Sequence, residues 1–111
     1  MSIKVLLTSI GQQIIADVKQ VENTETGDII AYWLREPRLV HYQTNEENGQ
    51  IEVRFLSTCT VAVTTEYSVR ADHIASILDP REDVLNSYRA QAFPTLRKSL
   101  RSLRLRLQND L

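Results

Sequence analysis

The segment Glu66–Pro80, EYSVRADHIASILDP, constrains this chain more than any other stretch. Tyr67 and Val69 alternate with Ser68 and Arg70, and Ile74, Ser76 and Leu78 alternate with Ala75 and Ile77. Period-two alternation marks a strand with one covered face. The spacing predicts two short strands, the second running His73–Leu78, joined by the tight polar turn Arg70-Ala71-Asp72. A turn that short keeps the strands from drifting apart and fixes the positions of Arg70 and Asp72.

The residues before it read as a meander of strands. Ile3–Thr8 alternates weakly, with Ile3, Val5 and Leu7 on one face, and Ser9-Ile10-Gly11 is a turn in which Gly11 is free to take positive φ. Gln12–Val21 is a longer strand with Ile14, Ala16 and Val18 on one face, and Asn23–Asp28 is a polar loop. Ile29–Leu34 is apolar on both parities, the pattern of a strand covered on both faces. Pro37 cannot donate to a ladder, so the strand is expected to break there and resume at Leu39–Tyr42. Asn45–Gly49 contains Asn-Gly, a hairpin signal, before the alternating Ile51, Val53 and Phe55. Ser57–Thr65 reads as either strand or extended loop.

The period then changes. Asp79 suits an N-cap, Pro80 the first helical position and Glu82 the closing residue of a capping box, with Val84, Leu85 and Tyr88 on one apolar face. Beyond Pro94, Leu96, Leu100, Leu103 and Leu107 recur at spacings of 4, 3 and 4, a narrow helical stripe. The expected organisation is a β domain over 1–79 and a basic amphipathic helical tail over 80–111.

Charge divides the chain at the same place. Residues 1–80 carry six basic side chains against eleven acidic ones, a net of −5, while 81–111 carry seven against three, a net of +4. At 111 residues with 42% apolar side chains, one domain with a modest core is expected. No stretch approaches the roughly 18 uninterrupted apolar residues that span a bilayer, so no membrane partner is expected. The opening Met-Ser-Ile-Lys-Val lacks a signal peptide's apolar region, so the protein is expected to stay in the cytoplasm in which it is made. A single cysteine, Cys59, fits a reducing compartment and gives neither a disulfide nor a metal-ligand spacing.

Gly11, the small Ala16 five positions later, Val18 two further on, and Val69-Arg70-Ala71-Asp72-His73-Ile74 together resemble the two sequence motifs of Sm-like proteins. The MSIKVLL opening, the proline of the middle strand and a helix after the strands are similar to a divergent Sm-like group thought to come from cyanophages. The resemblance covers about residues 1–90. It implies a small, strongly bent, five-stranded antiparallel barrel that forms a homo-oligomeric ring and binds single-stranded RNA. The last two strands of adjacent subunits would pair edge to edge, with Tyr67, Val69, Ile74 and Ser76 at that interface. It further implies an RNA contact at Arg70, Asp72 and His73. Members that bind uridine carry an aromatic or histidine and an asparagine in the loop after the second strand. Here that loop is Val21-Glu22-Asn23-Thr24-Glu25-Thr26-Gly27, without a stacking aromatic, and the turn glycine of the second motif is Ala71.

Each candidate has a plainer reading. Arg70 either contacts phosphate or base, or forms an ion pair with Asp72 that only shapes the turn. His73 is a base contact or a polar surface residue, and His41 and Tyr42 are read with the same restraint. Cys59, among threonines and valines, is expected to be a buried inert thiol. Glu22, Glu25 and Asp28 read as a solvated acidic loop rather than a metal site. Arg97, Lys98, Arg101 and Arg104 (with Arg106) track phosphates, face acidic bodies while the leucine stripe packs, or, as a third and weaker option, meet a membrane surface; the stripe favours packing. No cofactor, metal or catalytic set is expected. The leading expectation is a ring-forming RNA-binding module, with a structural or adaptor ring as the alternative.

Overall fold

The computed structural model describes residues 1–63 and 65–94. Two compact units divide at Arg81/Glu82. The first holds β1 (Ile3–Thr8), β2 (Gln13–Glu22), β3 (Ile29–Thr44), β4 (Ile51–Ser57), β5 (Glu66–Arg70), a single 3₁₀ turn (Ala71–His73) and β6 (Ile74–Leu78); the second opens with α1 (Glu82–Ala92). The fold is mainly β. All ladders are antiparallel, in the order β4-β3-β2-β1-β6, with β5 also on β3.

Among the described residues six strands replace the five expected, and the sheet is not closed, since β5 and β6 do not pair. Pro37 was expected to interrupt the ladder of the middle strand. β3 is not broken there; it runs continuously through the proline. Ile15 pairs Arg38 and Asp17 pairs Arg35, so Ala16 alone faces the two residues Glu36 and Pro37. That is a β-bulge, a place where a strand tolerates a residue without an N–H. Glu36 adopts φ 53, and its N–H donates to the Thr65 carbonyl oxygen at 2.8 Å. β3 changes partner at this bend: Ala31–Arg35 pair β5, and Arg38–Thr44 pair β4. The chain leaves the sheet after Ser57 and rejoins it at Glu66, and no described residue from 58 to 65 is in a strand.

The main core cluster lies on one face of this sheet, and Ile15, on the other parity of β2, is fully buried as well. Leu6, Ile14, Ala16, Val18 and Leu34 are buried together, and Tyr32, Leu39, Tyr67, Val69 and Ile74 pack against them. Fully buried Ala16 sits opposite the bulge and belongs to this cluster, which a larger side chain there would overfill. The expectation that Ile29–Leu34 is covered on both faces does not hold. Tyr32 and Leu34 turn to the core, whereas Trp33 on the other parity is exposed. Asp17 is buried, accepting the Ser2 N–H at 2.8 Å, with the Arg35 guanidinium 4.0 Å away.

Gly11 does take positive φ, at 87°. The β3–β4 connection is longer than a two-residue Asn-Gly turn: Asn45 N–H donates to the Gln50 carbonyl, and the Asn45 side chain accepts the Glu47 N–H. The Asp79 capping box does not form. The Asp79 carboxylate is held by the Lys4 ammonium, and the helix begins at Glu82 instead. Glu82 and Asp83 in its first turn and Arg89 in its last suit the helix dipole. Val84, Leu85 and Tyr88 are its less exposed side, and the Tyr88 ring meets Phe93 edge-on at 5.9 Å. The leucine stripe and Arg97, Lys98, Arg101 and Arg104 lie outside the described residues. Among the described residues, no helix is long and apolar enough to cross a membrane.

Candidate nucleic-acid interface

Arg70 ends β5 in extended geometry, and the next three residues form one 3₁₀ turn closed by the Ile74 N–H on the Ala71 carbonyl. Ala71 is not among the positive-φ residues, so this turn does not need the glycine that the Sm-like motif carries. The turn is tied to the β1–β2 turn by two bonds. Ser9 N–H donates to the His73 carbonyl oxygen at 2.8 Å, and Ser9 Oγ lies 3.2 Å from His73 Nδ1. Beneath them, buried Thr8 accepts the Gln12 N–H at 3.0 Å through its hydroxyl.

The three residues expected to bind RNA are therefore brought together. Ser9, Val69, Arg70, Asp72 and His73 line a shallow cleft of ≈ 460 Å³. Arg70 Nη2 bonds Asp72 Oδ2 at 2.8 Å, yet the arginine side chain stays 83% exposed. An ion pair between two exposed groups contributes little, roughly 0–1 kcal/mol. A phosphate or base edge can therefore replace Asp72 at low cost, since a guanidinium presents five donors in a fixed fork. Ser9 was not a sequence candidate. Its tie to His73 spans 64 positions, and no local pattern announces it.

The other expected residues are placed differently. Tyr67, Val69 and Ile74 point to the core, and the Tyr67 hydroxyl donates to Thr58 Oγ1 at 2.7 Å. Ser76 stands opposite Leu7 on β1. What β5 and β6 leave on their outer sides is backbone rather than these apolar side chains. In the β2–β3 loop, Asn23 holds the turn, its side chain accepting the Glu25 N–H at 2.9 Å and its N–H donating to the Asp28 carbonyl. That geometry occupies the Asn23 side-chain oxygen within its own turn. Exposed His41 faces Arg54 across the β3–β4 ladder, and Tyr42 is exposed beside it.

Cys59, expected to be buried, is an exposed free thiol. Among the described residues, no three His, Cys, Asp or Glu side chains are grouped to hold a metal ion. A scan against protein-family models matches none, and a search of curated proteins finds no match.

Proposed function

We propose that the chain is an Sm-like module that assembles into a closed homo-oligomeric ring and binds single-stranded RNA at the turn carrying Arg70. The observation behind this reading is the pair of open strand edges flanking that turn. Among the described residues β5 pairs only with β3 and β6 only with β1, so each has an outer edge, a row of backbone groups, that no described strand pairs. Such edges are templates for another chain. Pairing β5 of one copy with β6 of the next satisfies both rows, and a head-to-tail contact whose rotation closes makes a ring. The cleft of Ser9, Arg70, Asp72 and His73 then recurs once per copy. The proposal involves no catalytic step and no cofactor, and it sets the ring in the cytoplasm, that of a host cell if a phage encodes it.

A structural or adaptor ring without RNA is the second reading. It is favoured by the Arg70–Asp72 ion pair and by the engaged Asn23 in a loop that has no aromatic residue. Light scattering at micromolar concentration is expected to give a multiple of the chain mass, and a stable monomer sinks both ring readings. Uridine- and adenine-rich oligonucleotides at low salt separate the two. Binding that survives removal of 94–111 and is lost on Arg70→Ala supports the cleft; absence of binding selects the structural ring.

A further inference from the structure

The ladders joining β2, β3 and β5 arrange side chains in cross-strand rows. Val18–Leu34–Tyr67 and Gln20–Tyr32–Val69 are rows on the core face. Successive residues of a strand point to opposite faces. The rows between them therefore point away from this core: Val21–Ala31–Arg70, Lys19–Trp33–Ser68 and Asp17–Arg35–Glu66. Trp33 is the sole tryptophan of the chain, and it is 39% exposed in the middle of this outer face. Lys19 stands directly across from it. Arg70 is its diagonal neighbour, a relation that puts side-chain bases about 7–8 Å apart. The indole N–H reaches Glu66 Oε1 at 3.4 Å, which orients one edge of the ring.

We propose that Trp33 is a stacking platform for a base of a single-stranded nucleic acid, with Lys19 and Arg70 taking the flanking phosphates. The inference rests on the reading of Arg70 as a nucleic-acid contact and adds the aromatic that the β2–β3 loop lacks. An indole face accepts any base, and stacking is worth roughly 1–3 kcal/mol per base. The cations flanking the indole fit the phosphates on either side of a stacked base, through charge-assisted bonds. The carboxylates on this face are already engaged: Asp17 is buried against Ser2, and Glu66 holds the indole N–H. Asp72 of the adjoining turn, paired with Arg70, is the group a phosphate displaces. Binding driven by stacking with two phosphate contacts gives a shallow salt dependence, a log–log slope of about −1.4.

Because the chain has one tryptophan, its fluorescence reports on this position alone. The full chain is titrated at low salt with oligo(rU) and oligo(dT), while anisotropy of a labelled strand follows binding independently. Indole quenching is expected to saturate at the anisotropy midpoint. Trp33→Ala is expected to weaken anisotropy-measured binding roughly tenfold, and Trp33→Phe to keep most of it. Equal binding of the two strands supports a platform for single strands in general; preference for oligo(rU) assigns it to RNA. Binding with neither quenching nor sensitivity to Trp33→Ala overturns the platform and leaves the Arg70 reading standing. If neither strand binds, both fall.

Discussion

Ser9 Oγ lies 3.2 Å from His73 Nδ1, while the Ser9 N–H donates to the His73 carbonyl oxygen at 2.8 Å. The side-chain bond is exposed and the backbone bond fixes the turn, so the two are separable by substitution. Ser9→Ala is expected to lower stability by less than about 1.5 kcal/mol. Ser9→Pro, which deletes the donor, is expected to cost at least about 1 kcal/mol more. Urea denaturation of the two variants measures the difference.

Glu36 holds φ 53 in the middle of a strand, and its carboxylate pairs with Arg38 at 3.0 Å. Replacing it by alanine or by glycine removes the ion pair equally, so comparing the two isolates the backbone. In an ordinary strand glycine is the weaker choice. Here Glu36→Gly is expected to be more stable than Glu36→Ala by about 1 kcal/mol, because the left-handed region disfavours a Cβ by roughly that amount. The reverse order in thermal or urea unfolding would remove the strain from this account.

Asp17 is 4% exposed and accepts the Ser2 N–H at 2.8 Å, and Val18 N–H in turn donates to the Ser2 carbonyl. Asp17→Asn keeps an acceptor in place; Asp17→Ala keeps none and leaves a part-buried donor without its charged partner. The alanine variant is expected to lose about 2–3 kcal/mol and the asparagine variant clearly less. Faster amide exchange at Val18 in Asp17→Ala would locate the loss at the chain start.

Ala16 is fully buried opposite the Glu36–Pro37 bulge. Ala16→Leu is expected to destabilise by about 1–3 kcal/mol through overpacking. Ala16→Gly adds no volume, and it should lower stability by less. A leucine tolerated there without loss in urea unfolding would mean that the bend is looser than the packing implies.

The strands were legible where alternation is local, as in Tyr67, Val69 and Ile74, which turn to the core as their period requires. Pro37 was legible as an interruption of the ladder but not as a bulge, because the bulge depends on Ala16, twenty-one positions earlier, facing two residues of β3. Asp79 carried the signature of a helix cap. It is held by Lys4, a partner that no window around residue 79 contains. The cluster of Arg70, Asp72 and His73 followed from a short turn, whereas Ser9 and Trp33 join its surroundings only through strand register. Both Trp33 and Ile29–Ile30 looked like core because apolar character does not reveal which face a sheet leaves open.

The exposed thiol of Cys59, the chain's one cysteine, gives each copy a single chemical address. A spin label or fluorophore placed there marks every subunit of any assembly once. Counting labels per particle, or measuring the spacings between them, would then give the number and symmetry of the copies directly.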